Sequence, residues 1–173
     1  MFGMALRSYQ KKMRRLAESE TVRERTLGEA EKLVERLLTL DPDGPESLHE
    51  AVLVKRALAL SFLYEGAYAP AQQHARRAVE LAGRSVGIRL DFQAREDLAD
   101  AHRTLGNASD SAEAFGRSRE IYESLLHEKP DEPRILRKLS QAHKYVAGLH
   151  YRKREYRAGL ALIGKARAID EKL

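Results

Sequence analysis

At 173 residues, with 43% hydrophobic and 33% charged side chains, the chain has the make-up of one soluble domain or one stretch of a repeat array, long enough to bury its own core. It has no Cys, which excludes disulfides and cysteinyl metal sites, and its longest strongly apolar run, "ALALSFLY" at 57–64, is too short to span a membrane. The N-terminus lacks the apolar run of a secretion signal, so a cytoplasmic location without a membrane partner is expected. The net charge of +5 is unevenly spread: residues 1–133 carry −3 and residues 134–173 carry +8. The basic excess is densest in "YRKREYR" (151–157) and reads as a solvated helix face able to attract acidic partners.

A helical period runs through the whole chain. An opening helix is expected near 4–19. The next, over 24–40, sets Leu27, Ala30, Val34, Leu37 and Leu38 on one stripe, and 48–64 does the same with Val52, Leu58, Ala59 and Phe62. Further helices are expected over 68–82, 91–109, 112–128, 134–152 and 155–171. Breaks are expected at Pro42–Pro45, Gly66, "GRSVG" (83–87), "GNASDS" (106–111), Pro130–Pro133 and near Arg154. The pattern predicts eight helices and no strand.

Four of the five prolines lie in two copies of P-D-x-P, at 42–45 and 130–133, 88 residues apart. The same offset lays Tyr68, Ala71 and Ala78 over Tyr156, Gly159 and Ala166. Steps of 41 and 47 relate the units between, with about six extra residues near "GRSVGI". The chain therefore reads as a single domain, 1–173, of four antiparallel helix pairs over 4–42, 46–82, 88–130 and 132–173. One amphipathic pair cannot bury its apolar face alone and must stack on a neighbour. Close approach within a pair asks for small residues: Ala59, Gly106 and Ala147 on the first helices, and Ala30, Ala71, Ser118 and Gly159 on the second. Proline disfavours helix in the residue before it and suits a helix's first turn, so each P-D-x-P reads as stop, cap and restart.

The segment "HRTLGNASDSAEAFGRSREIYESLLHEKP" (102–130), with Leu105-Gly106, Phe115, Ser118, Tyr122, Leu125 and Pro130, resembles the tetratricopeptide (TPR) family. The last pair repeats the pattern with Val146-Ala147, Tyr156, Gly159, Ile163 and Ala166, and the second with Leu58-Ala59, Tyr68, Ala71, Ala75 and Ala78. The first keeps only its second helix, Ala17-Glu18 standing in place of Leu-Gly. Phrases such as "AHRTLGN", "SREIYESLL" and "KARAIDE" also resemble the TPR tails of bacterial serine/threonine protein kinases. The resemblance implies an all-α right-handed superhelix and a non-catalytic module that binds a partner protein segment, as the regulatory tail of a larger signalling protein. It implies a concave groove lined by the first helix of each pair.

Onto that groove the repeat register places Arg15, Arg56, Leu60, Tyr64, Arg103, Asn107, Lys144, Tyr151 and Arg152. Arg15, Arg56, Arg103 and Lys144 occupy equivalent positions, a basic ladder that favours an acidic peptide. Carboxylate-binding family members carry a basic residue here with Asn four later. Arg103 and Asn107 reproduce that pair, but Arg56 is followed by Leu60 and Lys144 by Gly148, so the full clamp is absent. Arg103 is expected to be an exposed groove residue with little fold energy, and Arg167 to face away.

The sequence shows no phosphate loop, kinase motif or H-E-x-x-H, and no cofactor is expected. His143 and His150, seven apart, lack a third ligand for zinc; His102 and His143 read as packed helix residues. Glu96 and Asp100, one turn apart, read as solvated acids, and Tyr156 reads as core. Two alternatives to a peptide-binding module stay open: a self-associating structural repeat, and, less favoured, a nucleic-acid binder using the basic last pair.

Overall fold

The computed structural model describes residues 25–173, and within them the chain is an all-α repeat superhelix: seven helices and no strand. The described part of α1 spans 25–40. It is followed by α2 (Pro45–Tyr64), α3 (Tyr68–Ile88), α4 (Phe92–Ser109), α5 (Ala112–Glu128), α6 (Pro133–Arg152) and α7 (Tyr156–Asp170). The opening helix expected near 4–19, Arg15 and the Ala17-Glu18 pair lie outside the described residues.

Proline punctuates as its chemistry demands. Pro45 and Pro133 are the first residues of α2 and α6, where a missing N–H costs nothing. Neither helix gains a side-chain cap; the caps are at α4 and α5, where Asp91 and Ser111 accept from the Ala94 and Ala114 amides. The turns inside the three pairs each hold one residue in the left-handed region: Gly66 (φ 74°), Asp110 (φ 51°) and Arg154 (φ 62°).

The break expected at "GRSVG" is not there. α3 runs through Gly83 and Gly87 to Ile88, so the extra residues lengthen a helix instead of making a loop. Two contacts account for this. Ser85 is buried, and Arg84 donates to the Pro42 carbonyl (2.7 Å) and to Asp43 (2.6 Å), fastening the extension to the loop before α2.

The core is continuous because every cluster spans more than one pair. Val34 of α1 packs with Leu48, Ala51 and Val52 of α2, Leu81 of α3 and Ala101 of α4. Tyr122 and Leu125 of α5 pack with Ile135 and Leu139 of α6. Ala59, Ala71, Ala75 and Ala108 join α2, α3 and α4 at close range. Each fully buried Leu or Val here contributes about 1.5–3 kcal/mol. The small residues have the expected use. A Cβ on Gly106 would stand 2.8 Å from the buried Phe115 ring, and one on Gly159 would stand 3.2 Å from Tyr151 and 3.3 Å from the Ala147 carbonyl oxygen.

Within this stack α2 packs directly on α4 as well as on α3, whereas α3 and α5 have no comparable contact. α2 and α4 thus share an inner layer, which side-chain bridges from Arg134 and Lys138 extend to α6, and the second helices spread outside it.

Candidate functional site

The inner layer carries a charged network that the sequence reading missed. α4 projects Glu96, Asp97 and Asp100 between α2 and α6, and all three are buried. Arg56 of α2 reaches Asp100 at 2.9 Å, and Lys138 of α6 reaches Asp100 at 2.8 Å and Glu96 at 2.6 Å. Arg134 adds a contact to Glu96 at 2.8 Å, and His49 meets Asp97 at 2.6 Å. The Tyr122 hydroxyl donates to Asp100 from below. Burial alone would raise the Asp100 pKa, but Arg56, Lys138 and the Tyr122 hydroxyl outweigh it and hold the carboxyl below its ordinary value. Glu96 and Asp100 are therefore structural acids, not the solvated pair expected. The legible signal was an alternation of sign between inner helices: basic Lys55 and Arg56, then the acids of α4, then basic Arg134 and Lys138.

This network decides what the basic ladder can do. Arg56 and Arg103 both turn to Asp100, Arg103 from 3.6 Å on the same helix, and their side chains are only 13% and 18% exposed. Arg103 is thus not the exposed residue of the sequence expectation. Its position next to the buried carboxylate and Tyr122 makes it part of the fold.

Lys144 differs. It lies half exposed on α6, bonded to Asp170 at the end of α7 (2.7 Å). Lys144, Asn107 and Arg152 line one cleft between α4 and α6 of about 290 Å³, together with Phe115, Tyr145 and Gly148. Tyr145 stacks on Phe115 at 5.5 Å, and Arg152 bonds Asp110 at 2.7 Å, both partners well exposed. Three of the nine expected residues therefore meet at one site, and two converge on Asp100 instead. Leu60 is half-buried and Tyr64 exposed at the end of α2. Tyr151 packs its ring near Gly159 and against Tyr156.

Tyr156 is 55% exposed, so it is not core; Tyr68, its equivalent, is 62% exposed. Both are the first residue of their helix, whereas Phe115 lies one turn inside α5, which starts three residues earlier in the register, and is 2% exposed.

His143 is buried as expected, and its Nδ1 has no hydrogen-bond partner; burial, then Arg119 and Lys165, push its pKa down to about 4. His150 bonds Glu155. Among the described residues no three metal-ligating side chains cluster, and no helix is long and apolar enough to cross a membrane.

Stacked helix pairs with a shared inner layer define an all-α helical-repeat protein. No family model matches the chain, and no curated protein matches it by sequence. Among solved structures it is similar to a de novo designed helical repeat protein, DHR64, at 21% identity over 96% of this chain and 88% of that one, with a TM-score of 0.43. It is also similar to MamA, at 18% identity over 86% of this chain and 93% of that one, with a TM-score of 0.34.

Proposed function

We propose that the chain is a protein-interaction module whose inner helices take an acidic segment of a partner protein in the cleft between α4 and α6. The observation that carries this is the meeting of Asn107, Lys144 and Arg152 at one opening. The two cations are held there only by exposed single carboxylates, Asp170 and Asp110. Exposed pairs of this kind contribute about 0–1 kcal/mol, so an incoming carboxylate can replace either partner at little cost. Asn107 adds an amide that can bond the same group, and the Tyr145 face offers apolar contact. Arg56 and Arg103, committed to Asp100, are left out of the receiving set. The resemblance of "SREIYESLL" and "KARAIDE" to kinase TPR tails supports a place for such a module in signalling.

The test is a peptide array of acidic and C-terminal sequences, followed by titration of the best binder. Arg152→Glu is expected to weaken binding about tenfold, as loss of a centrally placed cation does at other interfaces, with an unchanged melting temperature. Arg167→Glu, on an exposed cation of α7 bonded to Glu171, is expected to do much less. Equal losses would mean diffuse attraction by the basic end of the molecule and would overturn the cleft.

A further inference from the structure

The 88-residue offset brings together two grooves of opposite charge. In the earlier unit α1, α2 and α3 line a groove of about 610 Å³ that includes Glu31, Lys55, His74 and Arg77. Its basic groups meet an acid of the chain itself: Glu31 bonds Lys55 at 2.8 Å and lies 3.6 Å from His74. The residues 88 positions on are Arg119 of α5, His143 of α6, and Leu162 and Lys165 of α7. A cation has replaced the acid.

Two apolar clusters fix where these side chains meet. Phe115 of α5, Val146 of α6 and Leu162 of α7 pack in one, and Tyr122 of α5, Leu139 of α6 and Ile169 of α7 in the other. Arg119, His143 and Lys165 each stand three or four residues from both clusters, on the same stripe of their helix. They form a polar layer between two apolar ones. There the Ser118 hydroxyl, the Arg119 Nε and the His143 Nδ1 are buried and have no hydrogen-bond partner among the described residues. Buried polar atoms are ordinarily bonded. Two acids come close, and neither satisfies the group. Glu123 stays 3.6 Å from Arg119 with its side chain 44% exposed, and Asp170 is taken by Ser140 and Lys144.

We infer that Arg119, His143 and Lys165, with the Ser118 hydroxyl, bind a phosphate group where the earlier unit uses its own carboxylate. Two permanent cations match a dianion. Donors arriving from three helices suit a group with three or more acceptor oxygens better than a flat carboxylate, and the Arg119 fork can take two of those oxygens. Burial, then Arg119 and Lys165, push the His143 pKa down to about 4; a phosphate between the two cations opposes their field and raises it. The site needs nothing beyond α5, α6 and α7. In the earlier unit the helix that follows, α4, packs on Ala75 and Ala78 and adds no residue to the groove. None of its residues lines the cleft between α4 and α6, so it is a second surface.

The probes are inorganic phosphate and capped phosphoserine, each titrated into the intact chain at constant ionic strength while the His143 ring resonances are followed by NMR. Saturable shifts and a raised His143 pKa are expected. Arg119→Gln is expected to weaken binding by at least about tenfold, the worth of one hydrogen bond to a charged group. Lys165→Gln, on an exposed residue whose loss leaves the melting temperature unchanged, should weaken it a few-fold. Arg152→Glu should leave it unchanged, which separates this site from the cleft. Tighter binding of phosphoserine than of inorganic phosphate identifies the source as a phosphorylated side chain of a partner; the reverse order identifies it as free phosphate. No saturable shift with either probe, the same shift with sodium chloride, or binding as tight as the parent's in both Arg119→Gln and Lys165→Gln overturns the inference.

Discussion

The pairs α2–α3 and α6–α7 are related by one offset, yet their two helices behave differently. In the first helices seven of the eight buried positions agree: Ser47, Ala51, Val52, Lys55, Leu58, Ala59 and Ser61 of α2 answer Ile135, Leu139, Ser140, His143, Val146, Ala147 and Leu149 of α6, and only Leu48 and Ala142 have no buried counterpart. In the second helices they do not. α3 buries six residues and α7 only Gly159 and Ala166. The register is the same, so the cause lies in the neighbours. α2 and α6 both sit between two other helices, and α3 sits between α2 and α4, whereas α7 packs on α6 with no comparable second neighbour among the described helices. In a stack of this kind burial is a property of position, and the sequence records it only where the neighbour exists.

The largest expected effect comes from removing the acid that joins the inner layer. Asp100→Ala leaves Arg56 and the Tyr122 hydroxyl without their main partner, and the loss of one member of a buried ion pair costs about 3–5 kcal/mol. Because the folded-state pKa of Asp100 is depressed, its contribution is full above the ordinary value of 3.8 and is lost as pH falls through the lower folded value. Denaturant melts of the variant and of the parent, from neutral pH downward, check both statements. Variant and parent should converge in acid.

A smaller effect separates the middle pair from the last. Gly106→Ala forces a methyl within 2.8 Å of the Phe115 ring, which is 2% exposed and cannot retreat, so overpacking of about 1–3 kcal/mol is expected. Gly159→Ala meets Tyr151, which is 38% exposed and can shift, at 3.2 Å, and the Ala147 carbonyl oxygen at 3.3 Å, where a few tenths of an ångström of give is enough. Replacing a helical glycine also gains about 1 kcal/mol of backbone entropy, so this variant should melt close to the parent. Equal losses at both glycines would mean that α7 is held as tightly as α5.

Helices and their order were legible because amphipathic period and proline chemistry are local. Six of the seven described helices begin within three residues of the expected positions. The end of α3 was hidden, because two glycines read as a break while the contacts that keep the helix going, Arg84 to Pro42 and Asp43, bridge about forty residues. The site was legible in part for the same reason. Register alone brings Asn107, Lys144 and Arg152 to one cleft, but it could not show that Asp100 takes both Arg56 and Arg103. Charge partners follow from which helix lies beside which.

The smallest expected effect tests a change of sign within the matched register. Lys55 and His143 are equivalent, and so, 88 residues apart, are Glu31 and Arg119. In the earlier unit burial works against the Lys55 charge, but the hydrogen bonds that Lys55 donates to Glu31 (2.8 Å) and Glu35 (2.6 Å) prevail and its pKa is raised. In the later unit the acid is replaced by Arg119, and His143 is kept neutral, its pKa down to about 4. Between pH 6.5 and about 4 the unfolded chain therefore binds a proton at His143 that the folded chain refuses, and stability falls as pH falls through that window. His74 and His102 are shifted in the same direction by burial and add to the fall below 6.5. His143→Leu should remove one part of that slope and leave the other two. Arg119→Glu restores the sign of the earlier unit, so it should raise the His143 pKa and flatten the slope without removing the histidine. Following the His143 ring resonances by NMR against pH, beside melts at the same pH values, distinguishes the cases. An unchanged His143 pKa in Arg119→Glu would mean that burial alone sets it and that the correspondence between the two units does not extend to charge.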